Sequence, residues 1–120
     1  MKKLLFAFVL AVVLVSGCTQ PPAGNPGTPS VNTTNVAIQG FAFNPPAITV
    51  SVGDTVTWTN QDSVPHDVAS DPHPTHTDLP GLRSGTLNPG QSYSFTFDKA
   101  GTWSYHCHLH PTMKGAVTVQ

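Results

Sequence analysis

Short runs in which every second residue is apolar extend through residues 35–119. The runs are Val36/Ile38, Ile48/Val50/Val52, Val56/Trp58, Tyr93/Phe95/Phe97, Trp103/Tyr105/Cys107 and Val117/Val119. A period of two predicts β-strands with one buried face, because successive side chains of a strand point to opposite sides. The 12 prolines and 10 glycines favour turns over long helices. We therefore predict an all-β domain, a two-layer sandwich of about 7–8 strands.

The first 17 residues have the layout of an export signal. Lys2 and Lys3 precede twelve uninterrupted apolar residues, 4–15, which are too few to span a membrane. Residues 15–18 read VSGC and resemble the lipobox of bacterial lipoproteins, which implies cleavage before Cys18 and a diacylglycerol on its thiol. We expect a signal peptide over residues 1–17 and an exported protein, periplasmic or at the cell surface, anchored to the membrane by lipid. The alternative is ordinary signal cleavage with Cys18 as an incidental thiol.

Residues 18–34 are rich in proline and glycine and carry no apolar period, which is typical of a flexible tether. We predict a lipid-anchored linker over residues 18–34 and one folded domain over residues 35–120. Within that domain, residues 64–86 depart from the alternation and contain four prolines and three histidines. We expect one short strand there, near residues 67–70, followed by a long loop of the kind that often carries function.

The low charge of the chain excludes several classes of function. Only 9% of the residues are charged, the net charge is −1, glutamate is absent, and no cluster of Lys or Arg follows Lys3. Binding to a phosphate backbone needs such a cluster, so we expect no nucleic-acid partner. The sequence also has no Ser/His/Asp order, no paired Glu and no phosphate-binding loop, so we expect neither enzymatic activity nor a small-molecule substrate.

Residues 105–115 (YHCHLHPTMKG) concentrate thiol, imidazole and thioether donors. Cys107, His110 and Met113 recur at three-residue steps, and the intervening proline prevents a regular helix, so a tight loop can turn all three toward one point. Two His and one Cys with a weak axial Met are the ligands of a blue copper site. His66 is the best placed second imidazole, because it follows a predicted strand at the same end of the sandwich. The alternative interpretation makes Cys107 a small buried apolar residue.

Together these motifs resemble the cupredoxins, and in particular their plastocyanin and amicyanin branch. The resemblance covers residues 35–120 and rests on residues 52–60 (VGDTVTWTN), Pro65-His66, residues 87–95 (LNPGQSYSF), and Cys107-x-x-His110-x-x-Met113 followed by Gly115-x-Val117. It implies a Greek-key β-sandwich whose ligands to one type 1 copper ion are His66, Cys107, His110 and Met113. It also implies one-electron transfer between a redox protein donor and a redox protein acceptor. We expect a monomer, with an apolar patch around His110 formed by Pro65, Leu109, Pro111 and Met113.

Two other functions remain open at this point. A lipid-anchored copper carrier that sequesters the ion and hands it to an oxidase would use the same ligands, and an Ig-like adhesion or structural lipoprotein would use no metal. The sequence also departs from the family at three positions, one of which is His108, an unusual neighbour of the cysteine ligand in single-domain members. Asp67 stands where many members have Asn, and a carboxylate so close to the metal would favour Cu(II) unless it points to solvent. Pro111 lacks an N–H and so removes one donor to the thiolate sulfur.

Four histidines fall outside this ligand set. His106 and His108 flank Cys107, as in the His-Cys-His motif of multicopper oxidases, but those enzymes need further paired His-x-His motifs that this chain lacks. Strand alternation places His106 on the face opposite Cys107, where we expect a solvated or side-chain-bonded imidazole. His73 and His76 are candidates for a second metal site with Asp71 or Asp78. The simpler interpretation is that they are surface-loop histidines, or that they shape a docking surface.

Overall fold

The computed structural model describes residues 29–120. The expected signal peptide (residues 1–17), Cys18 and the first part of the expected linker lie outside the described residues. The regular elements of the described part are all strands: β1 (Val31–Asn32), β2 (Asn35–Ile38), β3 (Phe43–Asn44), β4 (Ala47–Val50), β5 (Thr55–Asn60), β6 (Ala69–Ser70), β7 (Ser92–Thr96), β8 (Gly101–His106) and β9 (Lys114–Val119). Across this same stretch, no helix has the length and apolar character needed to cross a membrane.

The strands form two sheets, one in the order β1-β4-β9-β8-β6 and the other in the order β3-β2-β5-β7. β4 pairs with β9 and β2 pairs with β5 in parallel, whereas β8/β9 and β5/β7 are antiparallel. The apolar residues of the alternating runs fill the space between the sheets. Those most completely enclosed are Ile38, Val56, Trp58, Cys107 and Val117, each 0% exposed. The predicted all-β sandwich is therefore confirmed.

The outer face of β5 and β7 is polar, as the alternation predicts. Three hydroxyl pairs lie side by side across the two strands, with oxygen–oxygen distances of 2.7 Å for Thr55–Thr96, 2.8 Å for Thr57–Ser94 and 2.8 Å for Thr59–Ser92. Cross-strand pairs of this kind help to fix strand register. The register in turn sets where β5 ends, and the first predicted metal ligand follows soon after that end.

The structure differs from the sequence expectation in two short strands and one strand end. β1 lies in the expected linker and pairs in parallel with β4, so regular structure begins before residue 35. β3 pairs with β2, but strands of two residues are too short to show a period. Val52, expected at the end of its run, lies outside β4 and is 50% exposed, because the chain turns at Gly53 (φ 92°).

One end of the sandwich brings together the segments that carry the predicted site. Cys107 directly follows β8, which pairs with the short strand β6 at the sheet edge. β6 lies within the region where one short strand is predicted, between residues 67 and 70, and a long loop follows it as expected. The backbone of His66 pairs with Leu87, so the loop after β5 is attached to the segment that leads into β7.

Candidate metal centre

Three of the four predicted ligands converge at this end of the sandwich. His66 Nδ1 lies 3.8 Å and His110 Nδ1 lies 3.6 Å from Cys107 Sγ, and the three atoms are within 4.8 Å of one another. Cys107 and His66 are fully buried, whereas His110 is half-buried. Among the described residues Cys107 is the one free cysteine. A thiol between two imidazole nitrogens fits the donor chemistry of a copper ion.

His66 is held on both its backbone and its ring. Its N–H donates to Leu87 O at 3.1 Å and its carbonyl accepts from Leu87 N at 2.7 Å. Its Nε2 lies 2.8 Å from a carboxylate oxygen of Asp62. Because a carboxylate accepts, Nε2 carries the proton and Nδ1 directs its lone pair toward the sulfur.

Asp62 and Asn60 fix the loop that carries His66. The Asp62 carboxylate accepts the N–H groups of Gly40 at 2.7 Å and Phe41 at 3.0 Å, and the bond from Phe41 is the main cause of a lowered pKa for Asp62. The buried Asn60 side chain donates to the carbonyls of Val64 and Leu87, each at 2.9 Å. These roles were not predicted; the only sequence signal is a run of Asn and Asp residues directly after a strand.

The three-residue steps of the ligand loop form two consecutive tight turns. His110 N–H donates to Cys107 O at 3.1 Å, and Met113 N–H donates to His110 O at 2.9 Å. Cys107 N–H closes the loop by donating to Met113 O at 3.1 Å. The Met113 side chain is buried in the same apolar cluster as Cys107. The tight loop predicted from the spacing is therefore present, and its hydrogen bonds place Met113 beside Cys107 in the chain fold.

Burial raises the pKa of the Cys107 thiol, and backbone N–H groups, first that of Asp67, oppose this shift. Asp67 N lies 3.4 Å from the sulfur. Pro111 provides no such donor, but the backbone N–H groups of His110 and Leu109 in the ligand loop add to that of Asp67. The Asp67 carboxylate does not point freely to solvent, because it accepts the N–H of His108 and so links the two ligand loops.

Phe41 completes the surface above the ligands and was missed from the sequence. Its ring meets those of His66 and His110 edge-on, with centroid separations of 5.2 Å and 5.1 Å. It is 54% exposed, and Leu109 is 47% exposed. Pro65 and Pro111 are also exposed, as predicted for the patch, whereas Met113 is buried and contributes little to that surface. No periodic pattern marks Phe41, because it lies in a turn with φ 54°.

The remaining histidines form a second cluster. One ring nitrogen from each of His73, His76, His106 and His108 lies within 4.8 Å of the others. His106 bonds to the Asp71 carboxylate, as expected for a side-chain-bonded imidazole. It is buried, so the alternative expectation of a solvated ring is wrong. His76 is buried as well and is not a free surface-loop residue. The sequence offers Asp71 or Asp78 as candidates to complete a metal site with His73 and His76. The cluster instead contains His106 and His108, and neither aspartate belongs to it.

Residues 30–120 match the family described as copper binding proteins, plastocyanin/azurin family. Amicyanin of Paracoccus denitrificans is 40% identical over 87 residues, which cover 71% of this chain and 63% of that protein, slightly less than two thirds of its length. Plastocyanin of Scenedesmus fuscus is 42% identical over 86 residues, which cover 67% of this chain and 88% of that protein.

Solved structures agree with these relatives. A reduced amicyanin variant has a TM-score of 0.65 and 38% identity, covering 72% of this chain and 80% of that one. A purple cupredoxin from Nitrosopumilus maritimus has a TM-score of 0.64 and 32% identity, covering 73% of this chain and 100% of that one. With the convergent sulfur and imidazole nitrogens, these matches confirm the resemblance found in the motifs. The chain is a member of the plastocyanin/azurin family of copper-binding proteins.

Proposed function

We propose that this chain is a blue copper protein that carries single electrons between a redox protein donor and a redox protein acceptor. The observation that carries the proposal is the convergence of Cys107 Sγ with the Nδ1 atoms of His66 and His110, in a chain of a copper-binding family. In this proposal these three atoms and the Met113 thioether hold one type 1 copper ion. When bound, copper supplies one-electron chemistry by alternating between Cu(II) and Cu(I).

The residues around the site hold the ligands in one arrangement. His66 is attached through its backbone to Leu87 and through its ring to Asp62, and the turns of the ligand loop fix Cys107 relative to His110. Burial of His66 and Cys107 keeps water from these donor atoms. Ligands that are fixed in this way do not rearrange when the charge of the site changes. A low reorganisation cost is what rapid electron transfer requires.

The exposed residues around His110 supply a docking surface in this proposal. We name the set Phe41, Pro65, Leu109 and Pro111 the ligand-end patch. It is apolar and surrounds the half-buried His110, so a partner seated on it lies next to an imidazole that contacts the thiol. An uncharged patch of a few side chains suits a transient contact, as a shuttle between two partners needs. We propose that the chain acts as a monomer and as a carrier rather than an enzyme.

The proposed location rests on the N-terminal sequence alone. Residues 1–17 are proposed to be a signal peptide and Cys18 to carry the lipid that anchors the protein at the periplasmic or cell-surface side of a membrane, with a linker before the domain. Mass spectrometry of the mature N-terminus tests this proposal. A diacylglyceryl Cys18 is expected; an unmodified terminus elsewhere contradicts it.

The copper-carrier alternative uses the same ligands but requires easy release of the ion. The buried sulfur and the doubly attached His66 favour retention, so we place electron transfer first. Rapid, reversible electron exchange with a cytochrome is expected, at rates above those of copper loss to a chelator. Copper loss that outpaces electron exchange would favour the carrier.

The ligand assignment is tested by adding one equivalent of Cu(II) to the purified chain. An intense blue absorption and a type 1 EPR spectrum are expected, because both arise from the copper–thiolate bond. Cys107→Ser should abolish both signals. Ser104→Ala, an exposed change on β8, the strand that Cys107 directly follows, is the matched control and should leave them intact. A Cys107→Ser chain that keeps the blue colour contradicts the assignment.

A further inference from the structure

Four histidines form a cluster beside the ligand loop that the proposed copper site does not use. His73 Nδ1 lies 3.3 Å from His106 Nε2, and His76 Nε2 lies 2.9 Å from His108 Nδ1. All four rings offer a nitrogen within 4.8 Å of the other three. The rings come from two separate segments, the loop after β6 and the two residues that flank Cys107.

The outer nitrogens of two of these rings are already bonded to acceptors. His106 Nδ1 lies 2.6 Å from an Asp71 carboxylate oxygen, and His76 Nδ1 lies 2.8 Å from the Ser70 carbonyl oxygen. Both partners can only accept, so each Nδ1 carries a proton, and Nε2 is the nitrogen of each ring that faces the cluster and can offer it a lone pair. This is the arrangement that orients histidines which bind metals, with a carboxylate or a carbonyl behind the ring.

Burial and access also suit an ion. His106 is 1% exposed and His76 is 4% exposed, so half of the cluster is inside the protein. His73 is exposed, and a cavity of about 280 Å³ lies against His73 and His106, which leaves a path from solvent. Two buried lone pairs that face two further imidazoles are a costly arrangement unless a proton or a cation lies between them.

We infer that His73, His76, His106 and His108 form a second metal site, distinct from the proposed copper site, that binds a first-row divalent transition-metal ion. Four imidazoles suit zinc, copper, nickel or iron and do not suit magnesium or calcium, which prefer oxygen ligands. A metal bound there would join the loop after β6 to both neighbours of Cys107 and so stabilise the ligand end of the sandwich.

In the competing interpretation, the four rings are joined only by hydrogen bonds. His108 Nδ1–H would then donate to His76 Nε2, and His73 Nδ1–H would donate to His106 Nε2. This arrangement satisfies the lone pairs without an ion, so metal binding itself must decide between the two. Zinc is a suitable probe, because it has no redox chemistry and accepts nitrogen ligands in a tetrahedral arrangement.

The experiment is equilibrium dialysis of the full chain against Zn²⁺ alone, with zinc and protein measured by elemental analysis. Wild type is expected to retain one zinc more per chain than the His73→Ala/His76→Ala variant. Asp71→Asn keeps all four rings but weakens the acceptor behind His106, so its zinc affinity should fall by about 10- to 100-fold. Thr75→Ala/Thr77→Ala changes two exposed residues of the same loop and should bind zinc as wild type does.

The bound zinc is then located by X-ray absorption on the Cys107→Ser chain, which lacks the thiol of the proposed copper site. Four imidazole nitrogens around zinc are expected, and the thermal midpoint of this chain should rise on zinc addition. The Cys107→Ser chain cannot form the copper–thiolate bond. The zinc result on this chain is therefore independent of whether the blue copper assignment is correct. Equal zinc content in wild type and in His73→Ala/His76→Ala would overturn the second site and leave a hydrogen-bonded histidine cluster.

Discussion

His66 directs Nδ1 toward the Cys107 sulfur because its opposite nitrogen, Nε2, donates to the Asp62 carboxylate at 2.8 Å. The same carboxylate accepts two backbone N–H groups, from Gly40 and Phe41, in the turn between β2 and β3. One acidic side chain therefore sets both the tautomer of the proposed ligand His66 and the position of Phe41 above it. Asp62 is a positioning residue for the site, although it does not touch the atoms that would bind copper.

Replacing Asp62 by Ala should weaken copper binding by about 10- to 100-fold, the usual effect of losing the acceptor behind a ligating histidine. Asp62→Asn retains one oxygen and should lose less. Competition with a chelator, followed by the blue absorption, measures the affinity. The matched control is Asp54→Ala, which removes a carboxylate that accepts Ser51 N–H at the opposite end of β5. That control should lower the free energy of unfolding and leave copper affinity unchanged; equal affinity in Asp62→Ala would contradict the positioning role.

Copper affinity should rise with pH above neutrality. Burial raises the pKa of the Cys107 thiol, so the metal-free protein holds the sulfur protonated at neutral pH and copper must displace that proton. Loss of one proton makes the apparent affinity rise by about tenfold per pH unit, until the pH passes the pKa of the thiol. Chelator competition at several pH values from about 7 upward measures the slope. A flat profile would mean that the thiolate already exists without metal.

The strands and the ligand loop were predictable because each carries a local pattern. Alternation in the Trp103/Tyr105/Cys107 run indicates the strand β8, which Cys107 directly follows, and the three-residue steps to Met113 correspond to hydrogen-bonded turns. His66 followed from chemistry, since a thiol and one imidazole need a second imidazole from another loop. These inferences depend on residues near one another in sequence or on a known ligand set.

The missed features depend on contacts between distant loops. Nothing near Phe41 in the sequence indicates that it covers His66, and nothing near Asp62 indicates that it accepts N–H groups from Gly40 and Phe41. The placement of His106 on the face opposite Cys107 was an inference from alternation, but its burial depends on the loop after β6, which folds over it. Loops without a period give no register from which such a contact can be predicted.

Gly115 should be intolerant of a side chain because it lies opposite Tyr105 in the β8–β9 pair. A Cβ there would be 2.8 Å from Tyr105 Cε2 and closer still to Cζ and the hydroxyl oxygen. The ring cannot easily move, since it is 1% exposed and packs against Phe43 and Trp58 with centroid separations of 4.8 Å and 5.4 Å. Gly115→Ala should therefore lower the free energy of unfolding by about 1–3 kcal/mol.

Urea unfolding of the metal-free chain measures this effect. Gly81→Ala is the matched control, because the nearest side-chain atom to a Cβ there would be Phe95 Cε2, at 3.4 Å. That is an ordinary contact, and the control should unfold close to wild type. If Gly115→Ala were as stable as Gly81→Ala, the close packing of Tyr105 against β9 would be contradicted.

Phe41 should matter for electron exchange with a protein partner more than for folding. It is 54% exposed, so Phe41→Ala removes little buried surface, yet the ring stands edge-on over His66 and His110 within the ligand-end patch. An aromatic anchor in a contact commonly contributes more than 1 kcal/mol to binding, so the second-order rate with a cytochrome should fall by about fivefold to tenfold. Stopped-flow absorbance at the blue band measures this rate.

Val52→Ala, a similarly exposed apolar change (50%) near the opposite end of the sandwich, is the matched control and should leave the rate with the cytochrome unchanged. A small inorganic oxidant needs no docking surface, so its rate should differ little between the Phe41 and Val52 variants; equal slowing with both oxidants would instead assign Phe41 to the copper site itself.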